Sequence, residues 1–184
     1  MEYPCYPEST HNRFNSSSEV TVNPRRKNIR LSRSHYAAPG RIIHLTISTH
    51  DRRSVFTDST FTEQCLDVLN RTTESNSFEV MAYCFMPDHL HLLLENSSGE
   101  ELGALVRRFK SWTTRIAWEH GWHGKLWQRS YYDHVLRENE DVNRFIRYIL
   151  GNPVQHGIVE TWTDYPWAGS LVFEFADPED WPLE

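Results

Sequence analysis

Phe78-Glu79-Val80-Met81-Ala82-Tyr83-Cys84-Phe85-Met86-Pro87-Asp88-His89-Leu90-His91-Leu92-Leu93-Leu94-Glu95 is the stretch that decides the fold. Two mainly apolar runs of strand length flank the breaker Pro87-Asp88, which reads as a β-hairpin. Upstream, Ile43, Leu45 and Ile47 alternate with His44, Thr46 and Ser48, the pattern of a strand with two unlike faces. Between this strand and the hairpin, Phe61, Cys65, Leu66, Val68 and Leu69 recur at helical spacing, and Thr57 and Asp58 can cap that helix. Beyond the hairpin, Leu102, Leu105, Val106, Phe109, Trp112 and Ile116 predict a long helix over 99–121, followed by a strand over 127–136. Asn139 and Asp141 offer caps for a last helix through Val142, Phe145, Ile146 and Ile149, stopped by Gly151 and Pro153. The order β-α-β-β-α-β-α predicts an α+β domain. Its expected form is a ferredoxin-like (split βαβ) antiparallel sheet with helices packed on one face.

The chain has 184 residues, of which 39% are hydrophobic and 13% aromatic, enough apolar mass for one well-filled domain. Residues 35–170 carry the pattern above. Residues 1–34 are rich in Ser, Asn, Pro and Arg without periodicity and read as a disordered basic arm; residues 171–184 read as an acidic tail. Three cysteines without paired spacing suggest neither a disulfide framework nor a cysteine zinc site. No apolar run approaches the roughly 18 residues of a membrane span, and the first residues lack the charge-then-apolar pattern of a secretory signal. The expectation is a cytoplasmic protein with no membrane partner. The net charge of −6 argues against indiscriminate nucleic-acid binding. That average hides an uneven spread, with six bases against three acids in residues 1–34.

Two short stretches carry chemistry. In a strand, residues two apart share a face, so His89 and His91 project side by side while Leu90 and Leu92 turn the other way. Parallel imidazoles are ready metal ligands, and inside so apolar a strand they need a partner. On the last helix, Tyr148 and Asn152 lie four apart along one flank of the apolar stripe, so a phenol and an amide sit at the rim of the helix–sheet contact. Read singly, on spacing alone, the first pair is better taken as a solvent-facing edge, and the second as a core-rim tyrosine followed by a capping amide.

Taken together, His-hydrophobic-His followed by a helical Tyr-x-x-x-Asn resembles the single-tyrosine HUH transposases, and more closely their REP-associated tyrosine transposase branch. Further segments carry the resemblance: His44-Leu45-Thr46, Thr49-His50-Asp51-Arg52-Arg53, Phe109-Lys110-Ser111, Leu126-Trp127-Gln128-Arg129 through Arg137, and Tyr148-Ile149-Leu150-Gly151-Asn152-Pro153-Val154 on to Asp164-Tyr165-Pro166-Trp167. The match spans about residues 35–170 in consistent order.

The resemblance implies an enzyme that nicks and rejoins single-stranded DNA bearing hairpin or palindromic elements, working as a monomer or homodimer. Tyr148 matches the nucleophile, forming a 5′-phosphotyrosine and a free 3′-OH. His89, His91 and Asn152 match the ligands of a divalent cation, Mg²⁺ or Mn²⁺. Relatives often carry Gln where this chain has Asn152. A phenol ordinarily titrates near pH 10, so it must be activated as it attacks. Tyr131 and Tyr132 are rival nucleophiles ranked below Tyr148. Lys110, Arg107, Arg108, Arg129, Arg52 and Arg53 are the expected DNA contacts. The alternative from another class is a domesticated, non-catalytic binder of nucleic-acid hairpins on the same scaffold. A metal hydrolase, the third reading, lacks an obvious carboxylate ligand beside the histidines.

Overall fold

The structure is a computed structural model, and it describes residues 36, 38–75 and 77–175. The expected arm and the end of the acidic tail lie outside the described residues. Five strands, β1 (Arg41–Ser48), β2 (Phe78–Met86), β3 (His89–Asn96), β4 (Tyr132–Val135) and β5 (Ala168–Gly169), form one sheet in the order β4-β1-β3-β2-β5. All neighbours are antiparallel. Since β3 is antiparallel to strands on both sides, β1 and β2 run parallel with β3 inserted between them, the split βαβ arrangement.

The helices are α1 (Ser59–Glu74), α2 (Leu102–Glu119), α3 (Val142–Leu150) and the single turn α4 (Asn152–Gln155). Asp58 caps α1 by accepting from the Phe61 N–H at 3.0 Å, and Asp141 caps α3 by accepting from the Asn143 N–H at 2.9 Å. Ile43, Leu45 and Ile47 of β1 and Leu90, Leu92 and Leu94 of β3 pack with Phe61, Leu69, Leu105 and Phe109 from α1 and α2. Each such side chain contributes about 1.5–3 kcal/mol on burial.

The expectation of helices on one face holds for α1 and α2, while α3 lies on the other. There Ile146, Ile149 and Leu150 pack on Ala82, Cys84, Met86 and Leu93. A register shift in β2 between Val80 and Ala82 helps explain this. The extra residue reverses the alternation, so Val80 and Tyr83 both join the α1–α2 core while Ala82 and Cys84 line the opposite face. The fourth strand is also shorter than its pattern suggests. Trp127 makes only an isolated bridge to Thr49. Lys110 Nζ donates to the carbonyls of Gln128 (2.8 Å) and Ser130 (3.3 Å), so the chain here is tied to α2 as well as to the end of β1, where the Gln128 N–H donates to the Ser48 carbonyl at 3.0 Å. Finally, Gly151, and not Asn152, ends α3, where a Cβ would stand 2.9 Å from the Arg147 carbonyl oxygen. Asn152 instead opens α4.

Candidate active site

The face of the sheet opposite α1 and α2 carries a row of imidazoles. His89 and His91 project from β3 with their Nε2 atoms 2.9 Å apart. Behind them stand two oxygens: Asp88 Oδ1 lies 2.5 Å from His89 Nδ1, and Thr46 Oγ1 lies 3.0 Å from His91 Nδ1. Thr46 can serve because the β1–β3 register sets it opposite His91. His44, two residues back along β1, stacks on His91 with ring centroids 5.6 Å apart and planes at 20°.

Helix α3 brings Tyr148 onto this same face. Its ring meets His91 nearly edge-on (centroids 5.5 Å, 77°) and His44 likewise (5.9 Å, 83°). Tyr148 is half-buried, whereas Asn152 is buried with its Oδ1 lacking any hydrogen-bond partner. His156, one turn after Asn152, has its Nδ1 3.0 Å from the Asn152 carbonyl oxygen. His156, just past the end of α4, also lowers the pKa of both His89 and His91.

Burial holds these rings neutral. His44 is pushed down to about 4 by desolvation and then by His134. His91 lies well below the ordinary value through desolvation and its imidazole neighbours, and His89 is lowered by desolvation against an opposing pull from Asp88. Neutral imidazoles are ligands. Two nitrogens near 3 Å apart match adjacent corners around a divalent ion with bonds of about 2.1 Å. With the orphaned Asn152 oxygen as third donor, the residues present fit such a cation. Among the described residues no group of three or more His, Cys, Asp or Glu forms a metal cluster.

The family model described as "Transposase IS200 like" matches residues 39–152, a span that includes His89, His91, Tyr148 and Asn152. A protein of Haemophilus influenzae described as a candidate REP-associated tyrosine transposase is 31% identical over 156 residues, covering 77% of this chain and 88% of the relative. The chain belongs to the IS200-like transposases, in their REP-associated tyrosine branch. The REP-associated tyrosine transposase of Escherichia coli is 23% identical over 134 residues, covering 72% of this chain and 78% of that one. Among solved structures, a REP-associated tyrosine transposase bound to a REP hairpin shares the fold, with a TM-score of 0.63 and 23% identity over 72% of this chain and 78% of that chain. This transposase is therefore an enzyme of the α+β class expected from its element order, and no described helix is long and apolar enough to cross a membrane.

The expected DNA contacts of this transposase fall into four groups. Arg52 stands at the lip of the imidazole pair, its Nη1 donating to Asp88 Oδ2 at 3.3 Å. Arg107 and Arg108 lie across the sheet, on the outer side of α2. There they line a shallow groove of about 450 Å³ with Ala104, Ser111, Trp112 and Arg115. Arg129 is exposed in the loop before β4. Lys110 and Arg53 are engaged with the protein itself: Lys110 as above, and Arg53 through the carbonyls of His50 and Lys125 and the face of Trp122. Of the rival tyrosines, Tyr131 packs against the α1–α2 core. Tyr132 is 52% exposed and meets the His44 ring at 6.2 Å. Four neighbours of the site were not among the expected site residues: Thr46, Asp88, His44 and His156. Alternation along β1 puts His44 and Thr46 on one face, but only the strand order brings that face to His91.

Proposed function

We propose that this transposase is a metal-dependent tyrosine endonuclease and strand transferase that cleaves hairpin-bearing single-stranded DNA through a 5′-phosphotyrosine. The observation that carries the reading is the packing of the Tyr148 ring against His91, on the face where a buried Asn152 oxygen has no partner. When bound to His89, His91 and Asn152, Mg²⁺ or Mn²⁺ would polarise a phosphate oxygen and stabilise its developing charge. Imidazole-rich donors favour Mn²⁺ in vitro.

Tyr148 Oη attacks the phosphorus as the 3′-oxygen leaves, so one O–P bond forms, one breaks, and a proton passes overall from the phenol to the 3′-OH. The phosphodiester energy is kept in the phosphotyrosine, and attack by the 3′-OH of another end rejoins DNA without ATP. Arg52 is the candidate for holding the strand at the cleavage point. Arg107, Arg108 and Arg129 are candidates for contacts further along the DNA, where phosphate binding fixes register. The bound REP hairpin of the solved relative supports a hairpin partner for this chain.

The test is a labelled single-stranded hairpin incubated with Mn²⁺. Wild-type protein is expected to form a denaturant-resistant adduct, and Tyr148→Phe to form none while binding the DNA nearly as tightly. An undiminished adduct in Tyr148→Phe overturns the nucleophile assignment. Tight binding with no wild-type adduct favours the non-catalytic hairpin binder.

A further inference from the structure

The two paired imidazoles differ in what stands behind them. His89 Nδ1 faces a carboxylate at 2.5 Å, and a carboxylate only accepts, so the proton sits on Nδ1 and Nε2 presents a lone pair. The competing neighbour, Arg52 Nη1 at 3.4 Å, is farther away and already donates to Asp88 Oδ2. Asp88 is itself held in place, its backbone carbonyl accepting from both the N–H (3.0 Å) and the hydroxyl (2.9 Å) of buried Thr49. His91 Nδ1 faces a hydroxyl instead, Thr46 Oγ1 at 3.0 Å, and a hydroxyl donates or accepts as it rotates.

With the two Nε2 atoms 2.9 Å apart, two facing lone pairs would repel unless something positive lies between them. In the metal-free protein the contact closes when His91 carries its proton on Nε2 and donates it to His89, with Thr46 donating to His91 Nδ1. With a cation held, both Nε2 atoms must be bare. The His91 proton then belongs on Nδ1, and Thr46 turns to accept it.

We infer that Asp88 and Thr46 are positioning residues that select the ring tautomers of the pair, Asp88 as a fixed stop on His89 and Thr46 as a reversible one on His91. Cation entry therefore replaces an imidazole–imidazole hydrogen bond with no change in the protonation count of either ring. One proton leaves His91 Nε2 for solvent, and one arrives at Nδ1. Outer partners of this kind typically change metal affinity by 10–100-fold. The inference rests on the proposed cation site and on none of the DNA chemistry.

The experiment is ¹⁵N NMR of histidine-labelled full-length protein near pH 8, with and without MgCl₂, beside calorimetric titration with MnCl₂. The metal-free spectrum is expected to show His89 as Nδ1–H and His91 as Nε2–H, and Mg²⁺ to convert His91 to Nδ1–H. Asp88→Ala should let His89 populate Nε2–H and weaken Mn²⁺ binding 10–100-fold. Thr46→Val should weaken it about tenfold, with recovery in Thr46→Ser. A His91 already in the Nδ1–H form without metal overturns the inference, as does unchanged Mn²⁺ affinity in both Asp88→Ala and Thr46→Val. Wild-type protein that takes up no Mn²⁺ removes the cation from this inference and from the proposed function alike. Loss of the DNA adduct alone, with tautomers and affinities as expected, counts only against the nuclease reading.

Discussion

The two faces of the sheet are built to opposite standards. Under α1 and α2 the core is almost entirely aliphatic and aromatic, and its polar groups are paired. Thr62, Thr73 and Thr113 return their hydroxyls to backbone carbonyls, and the Trp127 indole N–H donates to Thr113 at 2.9 Å. Under α3 the apolar core is smaller, and beside it lie His44, His89, His91 and Tyr148. Among the described residues, both buried side-chain polar atoms without a partner, His44 Nε2 and Asn152 Oδ1, are found there. An unpaired buried polar atom costs about 1–3 kcal/mol. The α1–α2 face supplies the stability that lets its opposite keep unmet polar groups.

That contrast breaks most visibly if the filled face does not dominate stability. Phe109→Ala empties a fully buried site and is expected to lower unfolding free energy by about 3–5 kcal/mol in urea titrations. A loss below about 1 kcal/mol would show that the core lies elsewhere.

The imidazole face should show itself next, through pH. The unfolded chain binds a proton at His44 near pH 6.5, but the folded protein does so only near 4, so stability falls as pH drops through that window. The contribution is on the order of 3 kcal/mol. His44→Phe, which keeps a ring among its aromatic neighbours, should remove that part of the slope in denaturation curves taken from pH 7 to 4.

A smaller effect sharpens the comparison. Asn152→Ala deletes an acceptor that bonds nothing, so its stability cost should stay within about 1 kcal/mol while Mn²⁺ affinity falls. A large stability loss with unchanged Mn²⁺ binding would make Asn152 a structural residue. The smallest expected change separates two bases on α2. Lys110→Met should cost about 1 kcal/mol by freeing the carbonyls of Gln128 and Ser130, and leave the salt dependence of DNA binding unaltered. Arg108→Ala should instead reduce the slope of log affinity against log salt by about one unit.

Much of this was legible in the chain itself. The alternation in β1, the Pro87-Asp88 break, and the caps Asp58 and Asp141 are local signals, written by sterics and hydrogen bonding over a few residues. His89 and His91 on one face follow from the two-residue repeat of a strand. That Lys110 reaches the carbonyls of Gln128 and Ser130 was not legible, because a lysine in a basic stretch of helix looks the same whether it meets phosphate or carbonyl oxygens, and the loop it meets is 18–20 residues away. The β2 bulge was also invisible, since an apolar run such as Phe78–Met86, with few polar residues to mark a face, does not reveal where its alternation reverses.

Composition and periodicity by themselves determined the element sequence and the antiparallel class, while the family resemblance carried by the order of motifs singled out the imidazole pair and the helical phenol. Tertiary structure alone decided that α3 crosses to the face away from α1 and α2, that Thr46 and His44 of β1 adjoin His91 of β3, and that the Asn152 oxygen is buried without a partner. The reason is range. Backbone geometry repeats over two to four residues and is written locally, whereas strand order and helix side are settled by which apolar surfaces can be covered together, a property of the whole chain.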